Sequence, residues 1–230
     1  MNSFLTNLYS SKWDRLQTEI TRINSDNELE TKPTSPLLLL VDNEAEFSSA
    51  DIRILIFGQE TNGWYEMDDT IEGISNNYDK FFNGGDCYSY GGQFWNGFNR
   101  FIKALQEKYP NKTIKPIWNN IVKIGCNDRK GFPPDYIYEM ERQHFSVIKE
   151  ELNILKPNIV LFFTGPNYDG IIADNFGKLS YKALTPFSER QISKVQLDGV
   201  AFAFRTYHPN YLWRNDIDSY FEKIISEINL

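Results

Sequence analysis

The sequence predicts a layered α/β protein built on a mainly parallel sheet, and three observations carry that prediction. Four short segments, 52–57, 117–122, 158–163 and 200–205, are β-branched or aromatic and almost continuously apolar, as strands buried on both faces must be. Between them the apolar residues recur at helical spacing. Alternation of this kind pairs strands in parallel and lays the intervening helices over the sheet. The chain, at 230 residues with 41% hydrophobic and 15% aromatic content, is large enough for one core with elaborations.

In chain order, Trp13, Leu16, Ile20 and Ile23 share one helical face, and the polar stretch 24–36 closes that helix. Residues 1–50 are read as a helical appendage packed on a core domain, 51–230. Ile52 to Phe57 forms the first strand. Phe94, Phe98, Phe101 and Leu105 mark the next helix, and Ile117 to Val122 the second strand. Ile137, Met140, His144, Ile148 and Leu155 continue the helical period up to the third strand, Asn158 to Phe163. Asp198-Gly199, between 192–197 and 200–205, is the residue pair that tight hairpin turns favour, so one edge of the sheet takes an antiparallel addition. Ile217, Phe221, Ile224 and Ile228 mark the last helix.

Composition narrows the function classes. Lys and Arg number 24 against 31 Asp and Glu, a formal net charge of −7, which argues against coating nucleic acid or an anionic membrane by bulk charge. The longest apolar run, Leu37 to Val41, falls far short of the ~20 residues that cross a bilayer, and no basic segment leads into an apolar one at the N-terminus. The expectation is a cytoplasmic monomer that does not engage membranes. Cys87 and Cys126 are too few for a disulfide framework, and with only His144 and His208 beside them no close-spaced metal motif can be written. Gly84-Gly85 and Gly91-Gly92 make no spaced phosphate-binding pattern after a strand. Neither metal nor cofactor is expected.

Ligands of open α/β sheets bind beyond the carboxyl ends of the strands, and three segments carry unusual polar residues there. Gly58-Gln59-Glu60 follows the first strand, Asn119-Asn120 lies at the second, and His208-Pro209-Asn210 follows the last. Glu60 supplies a carboxylate beside glycine-bearing turns. His208 supplies an imidazole in a loop stiffened by Pro209. Asn120 offers both donor and acceptor, the chemistry that reads the edge of an amide-like ring. Tyr88, Tyr90 and Trp64 lie in glycine-rich loops, where an aromatic ring can stack on a base or cover the core. His144 falls on an apolar helix face and is read as a core-edge histidine outside the site.

Taken together, these segments resemble the uracil-DNA glycosylase superfamily. Gly58-Gln59-Glu60 is similar to its first motif, Gly-Gln-Asp-Pro-Tyr in the best known branch, and His208-Pro209-Asn210-Tyr211-Leu212 resembles its His-Pro-Ser-Pro-Leu motif. Asn120-Ile121-Val122-Lys123 looks like the Asn-Val-Val-Lys segment of the thermophilic branches. Leu155-Lys156-Pro157 resembles the text leading into their third strand, and Gly92-Gln93 the opening of a helix. The ordered match runs from about Ile52 to Ile225. It implies a three-layer α/β/α sandwich with a short, mainly parallel central sheet, and hydrolysis of the N-glycosidic bond of uracil or a related base flipped out of DNA.

By the same resemblance, Glu60 and His208 are catalytic, and Gly58, Gln59, Tyr88 and Asn120 bind the base. Asn210, in place of the serine that touches a phosphate, and Leu212, in place of the wedge leucine, contact DNA. Thr61-Asn62 stands where the best known branch has Pro-Tyr, and Tyr211 replaces a proline. Two cysteines cannot supply the four thiolates of the iron-sulfur branches. The alternatives are a member that binds nucleic acid or a free nucleobase without cleaving it. A DNA-binding member needs only a local basic patch, for which Lys123, Arg129, Lys130, Arg205 and Arg214 are the candidates.

Overall fold

The computed structural model describes residues 1–65, 70–128 and 130–230, with Asn62 as backbone only. The elements, in chain order, are α1 (Asn2–Ser25), α2 (Glu44–Ser49), β1 (Ile52–Asn62), α3 (Ile71–Tyr78) running into a π-helical turn (Asp79–Asn83), α4 (Asp86–Tyr90), α5 (Gly92–Lys108) and β2 (Ile114–Cys126). They continue with α6 (Asp135–His144), α7 (Ile148–Leu155), β3 (Ile159–Phe163), a 3-10 turn (Pro166–Tyr168), α8 (Asp169–Phe176), β4 (Tyr181–Ala183), β5 (Ile192–Val195), β6 (Phe202–Thr206), α9 (Pro209–Leu212) and α10 (Ile217–Ser226).

The six strands form one sheet in the order β2-β1-β3-β6-β5-β4. β1, β3 and β6 are parallel, with Ile56 opposite Leu161 and Leu161 opposite Phe204. β5 pairs antiparallel with β6 across the Asp198-Gly199 turn, where Gly199 takes φ +77°, and β4 pairs antiparallel with β5. The class is α/β, a mostly parallel sheet with helices, consistent with an α/β/α sandwich.

Two compact units divide the chain, and they interleave. One comprises Met1–Asp42, Gln59–Gly84 and Asn119–Leu155, the other Asn43–Gly58, Gly85–Trp118 and Lys156–Leu230. Each unit takes three separate stretches of the chain. β1 and β2 each begin in the second unit and end in the first.

The first unit is organised around α1, whose face of Leu5, Tyr9, Trp13, Leu16, Ile20 and Ile23 is buried and packs on α3, α6 and α7. Residues 34–37 run along β2 and hydrogen-bond to it, Thr34 N to Gly125 O at 3.1 Å and Leu37 N to Lys123 O at 2.9 Å. They cover an edge that would otherwise expose unpaired backbone groups. Beneath α1 lies a fully internal polar network. Lys123 Nζ donates to Glu151 Oε1 and to Asn119 Oδ1, both at 2.8 Å; Tyr9 OH donates to Glu151 Oε1 at 2.7 Å; Asn119 Nδ2 donates to Glu151 Oε2 at 2.8 Å. Leu39 N donates in turn to Tyr9 OH at 3.0 Å. Glu141, on α6, receives the backbone N–H groups of Lys123 and Ile124 at 2.9 and 2.8 Å. A buried charge is tolerable only when paired and hydrogen-bonded in this way.

In the second unit, β1, β3 and β6 carry an aromatic core. Phe57 stacks on Phe162 at 5.0 Å, and Phe163 of β3 meets Phe101 of α5 and Phe221 of α10. α9 packs against both α5 and α10. It approaches α5 at Gly97, where an added Cβ would sit 2.6 Å from Pro209 Cβ, so only glycine fits.

Three expected boundaries need correction. β1 extends five residues beyond Phe57, and β2 spans 114–126 instead of 117–122, so both are longer than their apolar runs. The helical period through 137–155 is two helices, α6 and α7, broken between His144 and Ile148. Tyr88 and Tyr90, expected in loops, lie on α4.

Candidate functional site

His208 is the best defined of the predicted site residues. It caps the N-terminus of α9, its Nδ1 accepting the Asn210 backbone N–H at 3.1 Å. The cap arises because Pro209 cannot donate and fixes φ for the first helical position, leaving the next free N–H to the side chain before it. The imidazole lies against the Phe94 ring of α5, centroids 5.6 Å apart and 30° between planes. Burial lowers its pKa to about 4 from 6.5. It is therefore neutral near pH 7. Because Nδ1 accepts, the single proton of the neutral ring resides on Nε2, and Nε2–H has no acceptor among the described residues.

Hydrogen bonds tie down the surrounding turn. Tyr211 N donates to His208 O at 2.8 Å, and Trp213 Nε1 reaches Gln93 O at 3.2 Å, tying the turn to the first residues of α5. Gly91 and Gly92, at φ +72° and +86°, allow the chain to enter α5 there. Tyr88 approaches the same helix edge-on through Trp95, at 6.4 Å, and is 45% exposed. In this unit, then, His208 and Tyr88 contact α5 through Phe94 and Trp95, and Asn210 and Leu212 lie on α9, which packs on α5. Gly58 lies on the buried part of β1 in the same unit.

Leu212, expected to contact DNA, is fully buried on α9, which packs on α5 and α10. The exposed side chains of this turn are Asn210 and Tyr211.

Gln59, Glu60 and Asn120 belong to the first unit. Glu60 is half-buried and sits within β1, not in a loop beyond it. Strand geometry holds its backbone more firmly than a turn would. Asn120 is 3% exposed within β2, its N–H donating to Asn119 Oδ1 at 2.9 Å. Thr61, the residue after Glu60, is also buried, and an added Cβ at Gly125 would fall 2.1 Å from its carbonyl oxygen. Gly125 thus permits a close approach that fixes the end of β1.

The basic candidates divide sharply. Lys123 is internal and spent on Glu151. Arg205 is 1% exposed, its Nε and Nη2 on the Asp169 carboxylate at 2.9 and 3.2 Å and its Nη1 on Arg190 O at 2.9 Å. Neither can meet a phosphate. Lys130 and Arg214 are exposed, and Arg129 lies outside the described residues. Both cysteines are buried, and burial pushes the Cys87 thiol up to about 11. Among the described residues no group of three or more His, Cys, Asp or Glu could hold a metal ion, and no helix is long and apolar enough to cross a membrane.

Sequence reasoning placed Phe94 on a helix face and Tyr211 in the last motif, but it missed the contacts of Phe94 with His208, of Gly97 with Pro209 and of Tyr207 with Tyr211. A glycine on the face defined by Phe94, Phe98 and Phe101 was the available signal for the close contact at α9. No protein-family model matches this chain, and no curated protein does.

Proposed function

We propose that the protein is an N-glycosidic hydrolase acting on uracil or a related base in DNA. The observation that carries this reading is His208: a neutral imidazole, fixed at Nδ1, that presents Nε2–H. When an N-glycosidic bond breaks, negative charge develops on the departing base and positive charge on the sugar. A neutral, preoriented donor stabilises the first without having to be recharged between turnovers, and one such donor is worth roughly 3 to 4 kcal/mol in oxyanion-type sites. Stabilising the sugar cation and orienting water requires a carboxylate, and the motif resemblance assigns that role to Glu60. The same resemblance assigns Asn120 to the base edge and Gly58, Gln59 and Tyr88 to base binding.

A uracil-containing oligonucleotide incubated with the protein should acquire abasic sites, detected as alkali-labile breaks. His208→Ala should slow excision by about 10²- to 10³-fold, and Glu60→Gln should abolish it. Intact oligonucleotide after prolonged incubation, as single strand, duplex and mismatch alike, refutes the proposal. The internal positions of Lys123 and Arg205 favour a second reading, a pocket for a free nucleobase. Thermal stabilisation by free uracil, without affinity for DNA, distinguishes it.

A further inference from the structure

We infer that Tyr211, backed by Tyr207, is a stacking site for a base of single-stranded DNA. The inference rests on the glycosylase reading for its choice of ligand, and it names the form of substrate that reading leaves open.

The geometry is that of a preformed, tilted ring pair. Tyr207 follows β6 directly, and a Cβ at Gly165 would lie 3.4 Å from its ring carbon Cδ1, so Tyr207 is seated on the backbone of the segment after β3. The Tyr211 ring lies on Tyr207 with centroids 4.1 Å apart and 34° between planes. Tyr211 nevertheless remains 39% exposed, one of the few large hydrophobic side chains that do among the described residues. The backbone beneath it is pinned by the bond from Tyr211 N to His208 O at 2.8 Å. A base added here meets a ring already backed by a second one, and base–aromatic stacking is indifferent to sequence because every base has a π-face.

Polar groups on the same turn suit a nucleotide. Asn210 is exposed, and Arg214, also exposed, donates Nε to Asn210 O at 3.2 Å, which places a guanidinium one turn from the ring. Ring, amide and cation together match base, sugar edge and phosphate.

Two observations select the single strand over the duplex. Leu212 is buried, so the turn offers no aliphatic wedge to fill the gap that a flipped base leaves in a duplex. Lys123 and Arg205 are internal, which removes two of the cations that would hold a second phosphate backbone. A single strand needs neither: its bases are already accessible to an aromatic ring.

The test separates this inference from the catalytic reading by using a ligand that cannot be cleaved as uracil. Binding of a fluorescein-labelled oligothymidylate of about 12 nucleotides is followed by anisotropy at low salt, with the same sequence as a duplex for comparison. Expected are saturable binding of the single strand, at least tenfold weaker binding of the duplex, and a loss of about tenfold or more for Tyr211→Ala. Tyr211→Phe, which keeps the ring, should bind within about twofold of the parent protein, and melting temperatures of both variants check that the fold is intact. Absence of single-strand binding, equal affinity for duplex, or a Tyr211→Ala variant that binds as the parent overturns the inference. Ring-dependent binding without abasic-site formation on a uracil oligonucleotide leaves it standing and refutes the hydrolase reading alone.

Discussion

Removing Lys123 while keeping Glu151 should be among the most damaging single changes this protein can suffer. In Lys123→Met, Glu151 keeps the Tyr9 hydroxyl and the Asn119 amide but loses the ammonium bonded to it, in a position with no exposure to water. Breaking a buried pair from one side costs about 3 to 5 kcal/mol, because the surviving charge is left uncompensated. Glu151→Gln should cost a similar amount. It leaves the ammonium with Asn119 Oδ1 as its remaining side-chain partner and sets an amide where a carboxylate received three hydrogen bonds. The double variant contains neither charge. Its loss should fall short of the sum of the singles by at least ~2 kcal/mol, within the range that contacting residues show. Urea denaturation followed by the fluorescence of the 5 tryptophans measures all three values. Single variants that each cost under about 1 kcal/mol, or a double variant additive within ~0.5 kcal/mol, would refute the argument that the pair holds charge inside the unit.

Two further predictions concern the second unit. Burial depresses the His208 pKa to about 4, so between pH 6.5 and that value the unfolded chain binds the proton that the folded one refuses, and stability must fall as pH falls through this window. The shift corresponds to roughly 3 kcal/mol at most, reduced to about 1 to 2 kcal/mol by the partial exposure of the ring; His208→Gln should flatten the acid limb of a stability profile by that amount, and an unchanged limb would contradict the assignment. Gly97→Ala tests the α5–α9 contact by its sign. Helix propensity alone would stabilise by ~1 kcal/mol, whereas the 2.6 Å clash with Pro209 predicts a net loss of about 1 to 2 kcal/mol from overpacking, read as a lowered melting temperature.

The central strands were legible because both faces of each are buried, which writes itself as an apolar run in 52–57 and 158–163. The ends of β1 and β2 were not legible. Asn119 and Lys123 read as polar, and the residue that makes them tolerable, Glu151, lies 32 and 28 positions away. Arg205 is the same case: it looks like a surface cation until Asp169, 36 positions earlier, is brought to it. The N-terminal half of α1 could have been read, since Leu5 and Tyr9 extend the spacing of Trp13 and Leu16. β4 could not, having little apolar text and only slight burial. At the candidate site, the histidine before a proline was a sound signal, because capping geometry is local. Whether Leu212 points outward or inward depends on α5 and α10, about which the motif itself says nothing.

The interleaving of the two units also bears on how the chain is made. Tyr9 and Glu151 are separated by 142 positions, and the Tyr9 hydroxyl must wait for that carboxylate to be synthesised. At roughly 5 to 20 residues per second, the wait is about 7 to 28 s, during which the apolar face of α1 has no α6 or α7 to bury it. A nascent chain of this design is thus most exposed to chaperones and to aggregation at its beginning, and it is released from that exposure only when residues past the middle emerge from the ribosome.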